Sequence, residues 1–200
     1  MNEMKLILAS ASPARAAMLK NAGLTFEVEP ANIDEAALRD HMRNEGLPIS
    51  EIAATLAEYK AMSISKDHPE TIVIGADQLL VQGHEIYEKP KNIVQAAEQL
   101  QKLCGQTHEL ISAVALVLDG NCIWRSSDAA RLTMREFTPY FLEDYINREG
   151  EALLGCVGAY RLEGLGAHLF SKIEGDYFTI LGLPLLPLLE VLREGEVLPS

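Results

Sequence analysis

The alternation of strand-like and helix-like segments is the feature of this sequence that most constrains its fold. Residues 4–9 form an apolar run typical of a buried strand, and apolar positions then recur at helical spacing over Pro13–Ala22. The alternation continues as far as a last helical pattern, "LPLLPLLEVLREGE". Strands that alternate with helices along a chain favour an α/β fold, in which helices pack on a sheet.

The segments between the first and the last predicted helix have apolar residues at either helical or strand spacing. Helical spacing predicts three more helices, in "SEIAATLAEYKAMSISKDH", "IVQAAEQLQKLCG" and "TPYFLEDYINRE". Strands are predicted in "TFEVEP" and on both sides of a turn at Asp119-Gly120. The segment "TIVIGADQLLVQG" predicts a buried strand that its Gly-Ala-Asp interrupts, and "HEIYEKP" predicts a hairpin-like return beside it.

Composition limits the partners and the location of the protein. A net charge of −12 argues against binding a nucleic-acid polymer, which needs a basic surface. A few cations gathered in a cleft can still hold a small polyanion on an acidic protein. No apolar run approaches the roughly 20 residues that span a bilayer, and no signal peptide is evident, so we expect a cytoplasmic protein without membrane contact. Three widely spaced cysteines (Cys104, Cys122 and Cys156) are expected to be reduced and mostly in the core.

The junction between the first strand and the first helix is rich in small residues and hydroxyls. Ser10 and Ser12 lie where the helix begins, and backbone N–H groups at such a position attract anions. Arg15 adds a planar guanidinium that suits phosphate oxygens. The alternative is a common one: Ser12 is an N-cap, and Arg15 is a solvated helix residue.

Asp77 interrupts an otherwise apolar strand in "VIGADQLL". A carboxylate among apolar residues is costly unless it is paired, protonated or bound to a metal. Asp77 could therefore hold a divalent cation or accept a proton from water. Asp77 could equally be a turn residue whose side chain hydrogen-bonds to its own backbone.

Five other polar residues can each be interpreted in two ways. Lys60 lies on a mostly apolar helix and Lys89 precedes a proline, and both could bind phosphate or be ordinary surface lysines. Glu35 could begin a helix or bind a metal. Glu163 could accept hydrogen bonds from a base edge or lie in an exposed turn, and Asp176 could be a metal ligand or a turn residue.

Seven segments stand out in order along residues 5–192: "LASASPAR", "VEPANIDE", "LAEYKA", "IGADQLL", "EKPKN", "GAYRLEGLGA" and "GDYFTILGLPL". They resemble the sequence blocks of the Maf family of nucleotide pyrophosphatases. Each match alone is weak, whereas seven in the right order are a specific signal. The resemblance overturns the surface readings of Ser10, Arg15, Lys60 and Lys89.

The resemblance implies one Maf-like domain over residues 1–200, with an elongated mixed sheet, flanking helices and two lobes around a central cleft. It implies metal-dependent hydrolysis of a nucleoside triphosphate to the monophosphate and pyrophosphate, with Mg²⁺ or Mn²⁺ as cofactor, and possibly a homodimer. Asp77 takes the position of the catalytic carboxylate, and Glu35 with Asp77 takes the metal-site positions. The phosphate-binding positions fall on Ser10, Arg15, Lys60 and Lys89.

Three positions bear on which base is selected. Gln78 and Glu163 match the members of the family that prefer 7-methyl-GTP, and a glutamate can accept from the N–H groups of a guanine. Ala14 departs from the family pattern, since the usual motif has an arginine there and the 7-methyl-GTP members tend to have tryptophan. Alanine cannot stack on a base, so two of the three positions favour a methylated or other purine.

Two other functions compete with this one. A nucleotide-binding regulator of cell division with little turnover is favoured by the loss of one motif arginine at Ala14. A pyrophosphatase that removes deaminated purine nucleotides has a related architecture, but the "SPAR" opening argues against it.

Overall fold

A computed structural model describes residues 4–199 of the chain. Its strands are β1 (Lys5–Leu8), β2 (Glu27–Val28), β3 (Thr71–Gln82), β4 (Glu85–Tyr87), β5 (Thr107–Leu118), β6 (Asn121–Met134) and β7 (Phe170–Glu174). Its α-helices are α1 (Pro13–Asn21), α2 (Glu35–Asn44), α3 (Ile49–Ser65), α4 (Ile93–Leu103), α5 (Pro139–Glu149), α6 (Tyr177–Ile180) and α7 (Leu185–Glu194). Two 3₁₀ segments, Gly150–Gly155 and Leu165–Leu169, lie between α5 and β7.

The strands form one mixed sheet in the order β2-β1-β3-β5-β6-β7, with β4 paired to β3. β1 pairs in parallel with β2 and β3, whereas β3–β4 and β6–β7 are antiparallel. Asp119 and Gly120 both have positive φ, 49° and 75°, as a two-residue hairpin turn between β5 and β6 requires. The predicted α/β class, with a mixed sheet and flanking helices, is confirmed.

The chain divides into two compact units. The first unit contains the residues up to Gln78, together with Ile111–Asp128 and the residues from Gly182 onward. The second unit contains Leu79–Leu110 and Ala129–Leu181. The boundaries at 78/79, 110/111 and 128/129 fall within β3, β5 and β6, and the fourth, at 181/182, falls between α6 and α7.

The first unit is built on the packing of α3 against β3. Gly75 of β3 is closest to α3, and a Cβ built there would overlap the backbone carbonyl of Ala57 and lie 2.9 Å from the Cβ of Ala61. The predicted interruption of this strand at Gly-Ala-Asp is therefore wrong, because β3 runs unbroken from Thr71 to Gln82. Gly75 allows α3 to pack closely against β3. Asp77 therefore lies inside the strand rather than at its end.

The second unit has its own core, formed where α4 and α5 pack with β5, β6 and the 3₁₀ segments. Its largest fully buried side chains include Leu100, Leu103 and Leu132. His108 and Tyr160 are buried in the same unit, with 2.7 Å between His108 Nε2 and the Tyr160 hydroxyl. Burial lowers the pKa of His108 to about 4, so this core holds a neutral imidazole at pH 7.

Two expectations from composition can be compared with the described residues. Cys104, Cys122 and Cys156 are unpaired thiols, as predicted, but all three are only partly buried and none lies fully in the core. Of the helices in residues 4–199, not one combines the length and the apolar character needed to cross a membrane.

Candidate active site

The end of β1 and the start of α1 form the first part of the site. β1 ends in the buried Leu8, and Ser10 is 7% exposed. Ser12 is the N-cap of α1, with its hydroxyl accepting from the Arg15 N–H at 3.4 Å, and Pro13 occupies the first helical position. The N-cap reading of Ser12 is thus correct, and it holds the helix in the orientation that buries Arg15.

Arg15 is a buried side chain that joins three segments of the first unit. Its Nε donates to the Gly182 carbonyl at 2.8 Å. Its Nη1 donates to the Ala76 carbonyl at 2.9 Å and to Ser10 Oγ at 3.1 Å. Burial lowers the pKa of Arg15, while the nearby charge of Asp77 acts in the opposite direction. Arg15 is therefore not a solvated helix residue, and it fixes the backbone immediately before Asp77.

Lys60 lies between the two acidic residues that the sequence singled out. Its Nζ is 2.7 Å from Asp77 Oδ1 and 2.8 Å from Glu35 Oε2. Lys60 and Asp77 are buried, whereas the Glu35 side chain is 47% exposed. Glu35 begins α2 behind the N-cap Asp34, so it is both a helix-start residue and part of this cluster. α3, β3 and α2 each contribute one charged group.

The second carboxylate oxygen of Asp77 has a different environment from the first. Oδ2 is buried and has no hydrogen-bond partner among the described residues. Buried carboxylate oxygens normally accept hydrogen bonds, because leaving one unpaired is costly. An oxygen of this kind, held in place through Oδ1 by Lys60, suits a water proton or a metal ion.

The charges of this cluster bear on whether a divalent cation fits. Arg15 and Lys60 contribute two positive charges, and Asp77 and Glu35 contribute two negative charges, so the cluster is formally neutral. Within residues 4–199, no three His, Cys, Asp or Glu side chains form a metal site. Mg²⁺ commonly binds one or two carboxylates together with substrate phosphates and water. The unpaired oxygen of Asp77 and the partly exposed carboxylate of Glu35 fit that pattern.

Gln78 and Ala14 lie in the same unit as this cluster. Gln78 follows Asp77 in β3 and is half-buried, and its Nε2 donates to Ser112 Oγ at 3.0 Å. Ala14 is half-buried in the first turn of α1. Ser112 is a functional candidate that the sequence reading missed. The only sign of it in the sequence is a hydroxyl residue within the apolar run "LISAVALVL". In the structure Ser112 is fully buried in β5.

Lys89 and Glu163 belong to the second unit, and both are exposed. They lie near the thiol of Cys156, whose pKa is raised mainly by burial, then raised further by the charge of Glu163 and lowered by that of Lys89. Glu163 occupies a turn, as one of its two readings predicted. Asp176 was expected to be a metal ligand or a turn residue, and it is instead the N-cap of α6, accepting from the Thr179 N–H at 2.9 Å.

The structure therefore brings together five of the predicted site residues in the first unit, and two in the second. The first group is Ser10, Arg15, Glu35, Lys60 and Asp77. The second group is Lys89 and Glu163. The cluster in the first unit thus combines two buried cations with two carboxylates, Asp77 inside β3 and Glu35 at the start of α2.

This chain belongs to the Maf-like protein family, whose match extends over residues 5–195 and includes both units. Its relatives align with this chain over nearly its full length. A protein of Rhizobium etli named 7-methyl-GTP pyrophosphatase is 50% identical over 190 residues, which cover 95% of this chain and 96% of the relative. A Brucella abortus protein of the same name has the same identity and coverage. A Paramagnetospirillum magneticum protein named nucleoside triphosphate pyrophosphatase is 48% identical over 194 residues, covering 96% of this chain and 100% of the relative.

Proposed function

We propose that this protein hydrolyses nucleoside triphosphates to the nucleoside monophosphate and pyrophosphate. The names of relatives at 48–50% identity, which match almost the whole chain, support this activity. In this reaction a water oxygen forms a bond to the α-phosphorus, and the bond between that phosphorus and the bridging oxygen breaks. Pyrophosphate leaves with the bridging oxygen, and the water proton passes to a base.

The environment of Asp77 is the observation that supports the proposal most directly. Its Oδ1 is held by Lys60 at 2.7 Å, while Oδ2 is buried without a hydrogen-bond partner among the described residues. A carboxylate fixed in this way can orient a water molecule and accept its proton without losing an existing bond. Asp77 is the proposed catalytic base.

The cations of the cluster are proposed to hold the phosphates. Phosphoryl transfer depends mainly on positioning and on charge neutralisation. The proposed phosphate ligands are the ammonium groups of Lys60 and Lys89 and the hydroxyl of Ser10. The guanidinium of Arg15 is oriented by two backbone carbonyls and contributes its positive charge from a buried position.

A divalent cation, Mg²⁺ or Mn²⁺, is the proposed cofactor, held by Glu35 and Asp77. A triphosphate has roughly four negative charges at neutral pH, and a formally neutral cluster does not attract it. When bound, a divalent cation supplies the missing positive charge and neutralises phosphate oxygens. Glu35 is suited to this role because its carboxylate is partly exposed and its position at the start of α2 is fixed.

The proposed preferred substrate is 7-methyl-GTP or another modified purine nucleotide. Gln78 and Glu163 are the residues that match this preference, and two relatives have the corresponding name. A guanine base presents ring and amino N–H donors, and the carboxylate of Glu163 accepts such bonds. Ala14 leaves space beside α1 rather than a stacking surface, so we assign it no contact with the base.

A substrate panel tests the activity. Canonical, deaminated and 7-methylated triphosphates are each incubated with the protein in Mg²⁺, in Mn²⁺ and in excess chelator, and pyrophosphate and orthophosphate are measured separately. We expect metal-dependent release of pyrophosphate, with 7-methyl-GTP turned over fastest. Orthophosphate as the product would contradict the reaction, and a preference for deaminated purines would contradict the substrate.

The alternative function is a nucleotide-binding regulator with little turnover. Calorimetry on the same panel distinguishes it, since tight binding with negligible pyrophosphate release would favour the regulator. A homodimer and a cytoplasmic location complete the proposal. Size-exclusion chromatography at several protein concentrations tests the dimer, and fractionation of the producing cells tests the location.

A further inference from the structure

The turn that contains Glu163 adjoins an ion pair, between the buried Glu149 and the partly exposed Arg161, that the proposed reaction does not use. Glu149, the last residue of α5, has a side chain that is 3% exposed. Its Oε2 accepts from both Nε and Nη2 of Arg161, each at 2.9 Å. Neither residue belongs to the phosphate-binding group. Arg161 compensates the charge of this buried carboxylate, which would otherwise be costly to hold away from water.

The backbone of Arg161 closes the turn. The Gly164 N–H donates to the Arg161 carbonyl at 3.2 Å, which places Leu162 and Glu163 at the two central positions. A Cβ on Gly164 would lie 3.5 Å from Glu149 Oε1 and 3.6 Å from Arg161 Nη2. The turn therefore packs directly against the ion pair.

A second glycine fixes the far side of the same turn. Gly166 lies so close to Arg161 that a Cβ would be 2.9 Å from its backbone nitrogen and would overlap its carbonyl oxygen. Arg161 is thus held by Glu149 through its side chain and enclosed by Gly166 at its backbone. Glu163, in contrast, is exposed. The pKa of Arg161 is raised mainly by its hydrogen bond to Glu149, and the charge of Glu163 is one of the further causes that raise it.

We propose that Glu149 and Arg161 are positioning residues for base selection: their ion pair holds the 161–164 turn so that the exposed carboxylate of Glu163 accepts from the N–H groups of a guanine base. This inference rests on the proposed function and goes one step further, because it assigns base selection to an ion pair outside the proposed substrate ligands. A flexible turn loses selectivity since an acceptor that moves by an ångström no longer meets two donors at once.

The experiment measures binding, so it does not depend on turnover. The probes are the α,β-methylene analogues of GTP and UTP, which lack the bridging oxygen that the proposed reaction releases. Calorimetry gives the affinity of each probe for the wild type, Glu149→Gln, Arg161→Lys and Glu163→Gln. We expect the wild type to bind the guanine probe more tightly, and each variant to reduce that preference by roughly tenfold, the discrimination typical of a lost pair of base-edge hydrogen bonds.

Two comparisons separate positioning from general damage. Asp144→Asn is the matched control, because it removes an exposed carboxylate–arginine pair with Arg148 on the same helix, and we expect the preference to stay unchanged. In the Glu149→Gln/Glu163→Gln double variant, the loss should equal that of either single variant, because both act through one carboxylate. Circular dichroism and thermal unfolding confirm that each variant is folded.

Three results would overturn the inference. They are a wild type without base preference, a folded Glu149→Gln variant that keeps the wild-type preference, and additive losses in the double variant. A wild type that prefers the guanine probe but releases no pyrophosphate from GTP would contradict the proposed function instead, and the positioning role would still be decided by the binding ratios. If Glu149→Gln fails to fold, the base preference of Arg161→Lys tests the positioning role instead. Lysine keeps the positive charge but lacks the two guanidinium N–H groups that bond Glu149.

Discussion

Lys60 Nζ lies 2.7 Å from Asp77 Oδ1, and both side chains are buried in the first unit. Lys60 also meets Glu35 at 2.8 Å, so one ammonium group compensates two carboxylates. The pair places the proposed catalytic base and a proposed phosphate ligand in direct contact. A phosphate group that binds to Lys60 must therefore compete with two carboxylates for the same ammonium group.

Removing Lys60 should destabilise the folded protein as well as abolish turnover. In Lys60→Met the buried charge of Asp77 loses its partner, and uncompensated buried charges of this kind cost about 3–5 kcal/mol. Lys66→Met removes an exposed lysine just after the same helix and should change stability by less than about 0.5 kcal/mol. Urea unfolding gives the free energy of unfolding of both variants. Equal free energies of unfolding for the wild type and Lys60→Met would show that the pair contributes nothing.

Replacing Arg15 by lysine tests whether its fork, rather than its charge alone, is needed. Lysine keeps the positive charge but cannot reach the Gly182 and Ala76 carbonyls together as the guanidinium does. A buried acceptor without a partner costs about 1–3 kcal/mol. We expect Arg15→Lys to lose stability by that amount and to lose turnover, because the backbone before Asp77 is released. Chemical denaturation and pyrophosphate assays that match the wild type would contradict this role.

His108 should make stability depend on pH. Its pKa is lowered by burial from 6.5 to about 4, so between these values the unfolded chain binds more protons than the folded one. The free energy of unfolding should then fall as the pH is lowered from 7 to 4, by about 3 kcal/mol from this residue. His108→Gln lacks the titrating group, and its stability should fall by that much less over the same range. Parallel stability curves for the two proteins would contradict the assignment.

Gly75 should tolerate no side chain. A Cβ at this position overlaps the Ala57 carbonyl, which is backbone and cannot rotate away. We expect Gly75→Ala to lose about 3 kcal/mol or more, or to fail to fold, because overpacking forces α3 away from β3. Gly155→Ala is the matched control, since no atom lies within 4 Å of its Cβ position. Similar unfolding midpoints for the two variants would show that α3 and β3 are less closely packed.

The fold class and the proposed site residues were both predicted from the sequence, but for different reasons. Strand and helix periods predicted the alternation of elements, and two-residue turn chemistry located the β5–β6 hairpin at Asp119-Gly120. The residues of the cluster came from seven motifs whose order matched a family, not from spacing. Asp77 illustrates the limit, since its position within an apolar strand was consistent with a turn as well as with a catalytic carboxylate.

Contacts between distant segments could not be predicted. A glycine within a strand pattern fits either an interruption or a close backbone approach, and only the position of Ala57 on α3 decides for Gly75. Arg15 was expected to face phosphate, and its bonds to the Gly182 carbonyl depend on a segment 167 residues away. The pairing of Glu149 with Arg161 left no sequence signal, because both are common charged residues.

The rate of pyrophosphate release by Asp77→Asn tests the central claim most directly. The substitution keeps the size of the side chain and removes its capacity to accept a proton. We expect the rate with the best substrate of the panel to fall by roughly 10²–10⁴-fold, as is typical for the loss of a general base. The circular dichroism spectrum should be unchanged, and Asp40→Asn, an exposed position on α2, should keep the wild-type rate. A folded Asp77→Asn variant that releases pyrophosphate within twofold of the wild-type rate would contradict the account.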